Sequence, residues 1–135
     1  MKISNIISFA IIIFVLNLSN KVNSKEEFYN DKNGISISCK DIPYSFNSYD
    51  EAYSLIFNAK YKFVDHVNTS RSSWIRSADY LSCDKETGFF IISTDSRTYI
   101  HQDMPIDLWY AFKSSDSFGS FYSYYIKNGY RLRVN

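Results

Sequence analysis

Glycine and proline are scarce in this chain, which has 4 Gly and 2 Pro among its 135 residues. Disordered low-complexity chains and collagen-like repeats need much more of both residues, so neither class fits. The length and composition allow one modest hydrophobic core and exclude a large cofactor-binding enzyme, a coiled coil and a multi-pass membrane protein. Aromatic residues make up 19% of the chain, with 12 Tyr and 11 Phe. We therefore expect a small domain whose core is filled by bulky rings.

The chain also lacks a hydrophobic run long enough to cross a bilayer as a helix, which takes about 20 residues. Its longest apolar run, residues 6–18, follows a short basic start and has the length of the central region of a secretory signal peptide. We expect residues 1–24 to be a signal peptide that is cleaved after Ser24. The mature protein would then begin at Lys25 and be exported, periplasmic or secreted, with no stable membrane span. The alternative is that residues 1–24 remain as an anchor.

A surplus of basic charge is missing as well. Removing Lys2 and Lys21 with the signal peptide lowers the basic count from 15 to 13, against 14 acidic residues, for a net charge of about −1. Bulk electrostatic attraction to nucleic acid is therefore not expected. A local basic cluster, Lys127, Arg131 and Arg133, is either a solvated tail or a phosphate-binding patch.

Cysteine is limited to Cys39 and Cys83. In a small exported domain such a pair predicts one disulfide, which closes a loop of about 45 residues and contributes roughly 4 kcal/mol in the chain-entropy description. The alternative is two unlinked thiols. Neither residue has a second Cys or a His at ligand spacing, so we expect no zinc site.

Local sequence patterns predict an α+β fold. Before residue 72, period-2 alternation predicts strands at 35–38 and 61–67, and a Ser-x-x-Glu start followed by helical spacing predicts a helix over 48–59. We interpret residues 25–71 as an N-terminal extension of strand and helix.

After residue 72 the same patterns predict a three-stranded antiparallel meander and two helices. The strands are expected at 74–82, 89–94 and 97–102. One helix is expected to begin at Pro105 with Asp103 as its cap, and the other at Ser117. Their aromatic faces should pack on one side of the sheet.

The segment 72–135 carries residues that also occur, in the same order, in a known module. They are Ser73, Ile75, Tyr80, Gly88, Phe89, Ile91, Tyr99-Ile100-His101, Met104-Pro105, Leu108-Trp109, Ser117-Phe118-Gly119-Ser120-Phe121-Tyr122, Ile126-Lys127 and Tyr130. This pattern resembles the KTSC domain, which is named from the C-terminus of some lysyl-tRNA synthetases and is also found alone in bacterial and phage proteins. The resemblance implies the same fold, and RNA binding has been suggested for the family. The second Tyr of the family's central Tyr-x-Tyr motif is His101 here.

Five aromatic or imidazole side chains of this segment form the candidate binding surface, with Lys127 beside them. They are Tyr99, His101, Trp109, Tyr122 and Tyr130. Ring faces of this kind can stack on bases or on sugar rings, and the alternative is that they fill the core.

Catalytic motifs are missing. The chain has no Gly-x-Ser-x-Gly elbow and no glycine-rich phosphate loop, and a disulfide would remove both candidate thiol nucleophiles. His66 and His101 are the two histidines, and His101 with Asp103 has no third ligand at short spacing. We expect His101 on the surface or at a strand edge, and we expect no enzyme, metal or cofactor.

The sequence leaves two classes of function. The first is a small exported binding module whose ligand is a protein, a polysaccharide or a nucleic acid, including RNA as suggested for the KTSC family. The second is a structural protein that docks on an envelope partner. A contiguous exposed aromatic patch beside Lys127 and Arg131 would favour the first class, and complete burial of the rings would favour the second.

Overall fold

The computed structural model describes residues 36–135. The predicted signal peptide, its cleavage after Ser24 and the start of the first predicted strand lie outside these residues. The elements in chain order are β1 (Ile37–Ser38), a 3-10 turn (Cys39–Asp41), α1 (Tyr49–Asn58), β2 (Ala59–Lys60), β3 (Phe63–Val67), β4 (Ile75–Ser82), β5 (Thr87–Thr94), β6 (Thr98–Pro105), α2 (Ile106–Ser114), α3 (Phe118–Phe121) and a π-helical turn (Tyr122–Ile126).

The central element is an antiparallel sheet of four strands in the order β3-β4-β5-β6. The predicted α+β class and the meander β4-β5-β6 are confirmed, but the sheet has one strand more than expected. The added strand, β3, pairs with β4 from Phe63 opposite Ser82 to Val67 opposite Ala78. Alternation identified this strand, but alternation does not specify the partner of a strand.

Both faces of the sheet are covered, because successive side chains of a strand point to opposite sides. Phe90 and Ile92 of β5 belong to the core beneath α2, α3 and the π-helical turn. Ile91 belongs to a second core with residues of α1 such as Ile56. The two C-terminal helices therefore share one face as expected, while α1 covers the other.

The helix starts agree in part with the sequence. Ser48 caps α1, since its Oγ accepts a hydrogen bond from the Glu51 N–H at 3.1 Å, and Ser117 caps α3 through the Ser120 N–H at 3.3 Å. The predicted cap Asp103 is wrong. Asp103 lies within β6, has a φ of 57° and pairs with Arg133, whose guanidinium is 2.6 Å from its carboxylate. Strand β6 stays paired with β5 as far as Pro105, so α2 begins only at Ile106. Asp103 is therefore too far from the first turn of the helix to cap it.

The predicted disulfide is confirmed: Cys39 and Cys83 are bonded, with their Cα atoms 5.9 Å apart and a separation of 44 positions in sequence. It joins the 3-10 turn before α1 to the β4–β5 connection. The covalent link therefore ties the α1 side of the molecule to the sheet. Within residues 36–135, no helix is long and apolar enough to cross a membrane.

Candidate functional site

A groove of about 770 Å³ lies where four distant parts of the chain meet. It is formed by β6 with the β5–β6 turn, by the first residue of α1, by Trp74 before β4, and by the chain from the π-helical turn to the C-terminus. Four of the six predicted binding residues line it: Tyr99, His101, Tyr122 and Lys127. We call this surface the aromatic groove.

The lining residues outside the predicted set include two aromatic rings and a cation: Tyr49, Trp74 and Arg131. Tyr49 begins α1 and Trp74 precedes β4, and neither local pattern indicates that these positions meet. The Trp74 ring packs edge-on against Tyr122 at 6.0 Å between centroids. Gly119 allows this position, because a Cβ at that residue would lie 2.6 Å from Trp74 Nε1.

Trp109 corrects the predicted site. Its side chain is fully buried, its indole N–H donates to the Asp65 carboxylate at 2.9 Å, and its ring stacks on Tyr80. A ligand has no access to either face of this ring. The helical spacing of apolar residues in α2 places Trp109 on the side of the helix that faces the core.

The ring of Tyr130 does not line the groove either. It is half-buried against the core beneath the C-terminal helices. Its backbone carbonyl is the part that reaches the site, where it accepts hydrogen bonds from the Gln102 N–H at 3.1 Å and from the His101 side chain. Tyr130 is therefore not among the rings that line the groove.

His101 lies on the edge strand β6, as expected, but the residue is buried, with 5% of its surface exposed. The C-terminal segment covers it, because Arg131 forms a β-bridge with His101. Burial lowers the pKa of His101 to about 4, so the imidazole is neutral at pH 7.

The hydrogen bonds of His101 define its tautomer. Nδ1 is 3.1 Å from the Tyr130 carbonyl oxygen, which can only accept, so Nδ1 carries the proton. Nε2 then accepts from the Tyr122 hydroxyl, also at 3.1 Å. Both nitrogens are therefore committed to protein partners, and the pair fixes the position of the Tyr122 phenol in the groove.

Tyr49 occupies the open edge of β6. Its hydroxyl donates to the Thr98 carbonyl at 2.7 Å and accepts from the Ile100 N–H. Because the hydroxyl satisfies one acceptor and one donor of the strand, it takes the place of an additional strand at this position. The residue as a whole stays 40% exposed.

The phenols of the groove lie close to one another. Burial, followed by the neighbouring phenols of Tyr99 and Tyr49, raises the pKa of Tyr122 to about 12. Burial is also the main cause of the raised pKa of Tyr49. Both hydroxyls are therefore neutral at pH 7 and serve as hydrogen-bonding groups rather than as nucleophiles.

The cations of the groove are Lys127 and Arg131, and both side chains are exposed. Among the ion pairs formed by residues 36–135, none involves either of them. Asp95, which also lines the groove, is already paired with Arg76 at 2.8 Å. The groove therefore carries uncompensated positive charge.

Arg133, the third member of the predicted basic cluster, is held elsewhere. Besides its ion pair with Asp103, its guanidinium lies 3.9 Å from the centroid of the Tyr44 ring. The cluster is thus divided, with two cations at the groove and one fixed on the surface by protein partners.

The part of the chain from residue 36 onward holds no group of three His, Cys, Asp or Glu side chains that could bind a metal ion. His66 forms a separate pair with Asp79, whose carboxylate is 2.9 Å from Nδ1. Burial raises the pKa of Asp79. This pair lies on β3 and β4 and does not contribute to the aromatic groove.

Comparisons of the chain with protein families, with curated proteins and with solved structures found no match. The resemblance of residues 72–135 to the KTSC domain therefore stays a prediction from sequence.

Proposed function

We propose that this protein is an exported, non-catalytic binding module and that its ligand occupies the aromatic groove. The observation that carries the proposal is the juxtaposition of two exposed rings with two unpaired cations. Tyr49 and Tyr99 are 40% and 39% exposed, and Lys127 and Arg131 line the same groove. Exposed aromatic surface beside unpaired charge is typical of a ligand site.

Export is supported by two independent features. The disulfide between Cys39 and Cys83 is a bond that persists in oxidising compartments, and the first 24 residues have the pattern of a signal peptide. We propose cleavage after Ser24.

Binding rather than catalysis is supported by the state of the groove's polar groups. Tyr122 has a raised pKa, and His101 is neutral with both nitrogens engaged in hydrogen bonds. An activated nucleophile needs a lowered pKa or a free general base beside it. Both cysteines are in the disulfide.

We also propose that residues 72–135 are a KTSC-like module and residues 25–71 its extension. The order of three strands followed by two helical segments from Ile75 onward agrees with the resemblance.

RNA binding, which has been suggested for the KTSC family, is disfavoured as the function because export would separate the protein from cytoplasmic RNA. The structural alternative is supported by the burial of Trp109, but it gives no role to the exposed rings of Tyr49 and Tyr99.

A binding screen that maps the site tests this proposal. Isotope-labelled protein, exported from the full-length chain, would be titrated with soluble oligosaccharides, peptides and single-stranded oligonucleotides while NMR signals are followed. We expect at least one titration to shift the signals of Tyr49, Tyr99 and Lys127 and to weaken in Tyr99→Ala. The matched control is Tyr110→Ala, a ring of similar exposure on α2 outside the groove.

Two results would contradict the proposal. One is that every shift maps away from the groove, and the other is that Tyr99→Ala and Tyr110→Ala bind every probe equally. Intact mass of the exported protein tests the compartment in the same preparation. A chain that begins at Lys25 and resists alkylation until it is reduced is expected, whereas a full-length chain with two alkylated thiols would contradict export.

A further inference from the structure

We infer that the ligand of the aromatic groove is an acidic saccharide, a chain of sugar rings that carry carboxylates. This inference rests on the proposed function and adds the chemical class of the ligand. It follows from three properties of the groove: its exposed rings, the number of its unpaired cations, and the closed edge of β6.

The rings provide flat apolar surface next to hydroxyl groups. Tyr49 and Tyr99 expose about two fifths of their side-chain and backbone surface, and Trp74 lines the same groove. Polar side chains line the same groove, including Ser96, Ser123 and Asn128. A sugar ring has apolar C–H faces and a rim of hydroxyls, so it matches a surface that combines ring faces with hydrogen-bonding groups.

The cations indicate that the ligand is anionic but not densely charged. Lys127 and Arg131 have no ion-pair partner among the described residues, whereas Asp95 in the same groove is paired with Arg76. A carboxylate on a sugar would supply the missing partner, and the planar guanidinium of Arg131 can bind a carboxylate through two hydrogen bonds.

A nucleic-acid strand fits less well. It carries one phosphate for every nucleotide, and proteins that bind it track the backbone with a continuous basic groove. Two cations and a nearby carboxylate, in a protein whose mature net charge is about −1, do not form such a groove.

An extended peptide that adds a strand to the sheet also fits less well. Such a peptide needs free backbone N–H and C=O groups along the edge of β6. The Tyr49 hydroxyl occupies those of Thr98 and Ile100, and the Tyr130 carbonyl accepts from the Gln102 N–H. The groove therefore offers rings, hydroxyls and cations but not a strand edge.

The test compares three probes of defined chemistry by isothermal titration with the exported protein. The first is an oligomer of galacturonate, the second is the same oligomer with every carboxylate methyl-esterified, and the third is single-stranded oligothymidylate. We expect the galacturonate oligomer to bind, and the methyl ester, which has the same rings without the charge, to bind at least about tenfold more weakly. Raising the salt concentration to 1 M, which shortens the screening length to about 3 Å, should weaken the binding of the galacturonate oligomer and leave that of its methyl ester unchanged.

Two pairs of variants assign the binding to the groove. Tyr99→Ala and the double variant Lys127→Gln/Arg131→Gln should each weaken galacturonate binding by about tenfold. Tyr110→Ala and Lys40→Gln/Lys62→Gln, which remove an exposed ring and two exposed cations outside the groove, should bind as the wild type does. Unchanged amide spectra in all four variants would exclude loss of the fold as the cause.

Three results would overturn the inference. Equal binding of the methyl ester would mean that charge is not recognised, and tighter, Tyr99-dependent binding of oligothymidylate would identify a nucleic-acid site; in both cases the proposed function stands. Absence of Tyr99-dependent binding with all three probes would reject acidic saccharides, and the wider ligand screen described above would then decide whether the groove is a binding site at all.

Discussion

The molecule contains two groups of aromatic side chains that use the same residue types for different purposes. Beneath α2, Tyr80 and Trp109 are fully buried, stacked on each other, and bonded to the Met104 carbonyl and the Asp65 carboxylate, respectively. At the groove, Tyr49 and Tyr99 remain partly open to solvent.

The polar tip has a protein partner in both groups, so the difference lies in whether other side chains cover the face of the ring. In the core, the hydroxyl of Tyr80 and the N–H of Trp109 find their partners inside the protein, so the whole ring can leave water. At Tyr49, the hydroxyl is used to close a strand edge while the ring face stays accessible. A hydrogen-bonded tip thus fixes an aromatic ring without burying it, which is what a preformed binding surface requires.

The largest effect should come from removing a ring of the core. Trp109→Ala is expected to lower the free energy of unfolding by about 3–5 kcal/mol, because it removes a fully buried indole and one partner of the Asp65 carboxylate. Urea unfolding measures this loss. Trp74→Ala, at the half-buried groove position, should cost less, and equal losses at the two positions would contradict the division into core and groove.

The disulfide connects the side of the molecule that carries Tyr49 to the sheet. Reduction, or the double variant Cys39→Ser/Cys83→Ser, is expected to lower the free energy of unfolding by roughly 4 kcal/mol, because the loop between two cysteines 44 positions apart regains its conformational freedom. The reduced wild type and the double variant should agree in urea unfolding. A loss below 1 kcal/mol in both would show that packing of α1 alone holds this side in place.

Stability should also depend on the protonation of His101, which anchors Tyr122 at the groove. The pKa of His101 is about 4 in the folded protein against 6.5 for an exposed histidine, so between these values the unfolded chain binds more protons. The free energy of unfolding should therefore decrease as the pH falls from 6.5 to 4, by about 3 kcal/mol. Urea unfolding across this range, compared with His101→Gln, isolates the contribution, and an identical pH dependence in the variant would reject it.

The smallest effect is expected at the edge of β6. Tyr49→Phe keeps the ring but removes the hydroxyl that bonds Thr98 and Ile100, and should cost about 1 kcal/mol. Hydrogen exchange should become faster at the Ile100 amide and stay unchanged at the Ile91 amide in the centre of the sheet. Unchanged exchange at Ile100 would mean that the hydroxyl does not protect the edge.

Much of the local structure could be predicted from the sequence. Ser48 and Ser117 begin helical segments because each hydroxyl accepts from a backbone N–H three residues later. Strands β4, β5 and β6 were predicted from alternation and turn residues, and the cysteine pair predicted the disulfide. These features depend on neighbours in sequence or on chemistry with a single possible partner.

The candidate site was predicted only in part. Tyr99, His101, Tyr122 and Lys127 do line one groove, but Trp109 lies in the core, and Tyr130 contributes its carbonyl rather than its ring. The sequence shows that a residue is aromatic but not whether its ring is buried or exposed. Residue type alone therefore cannot distinguish a ring that packs in the core from one that binds a ligand.

The sequence by itself determined the α+β class, the positions of most helices and strands, and the pairing of Cys39 with Cys83. Only the tertiary structure decided that β3 joins the sheet and that Tyr49, Trp74 and Arg131 meet at the groove. The physical reason is that periodicity states which face of an element is apolar but not which distant element covers it. The exposure of a ring depends on that covering element, and so does its availability to a ligand.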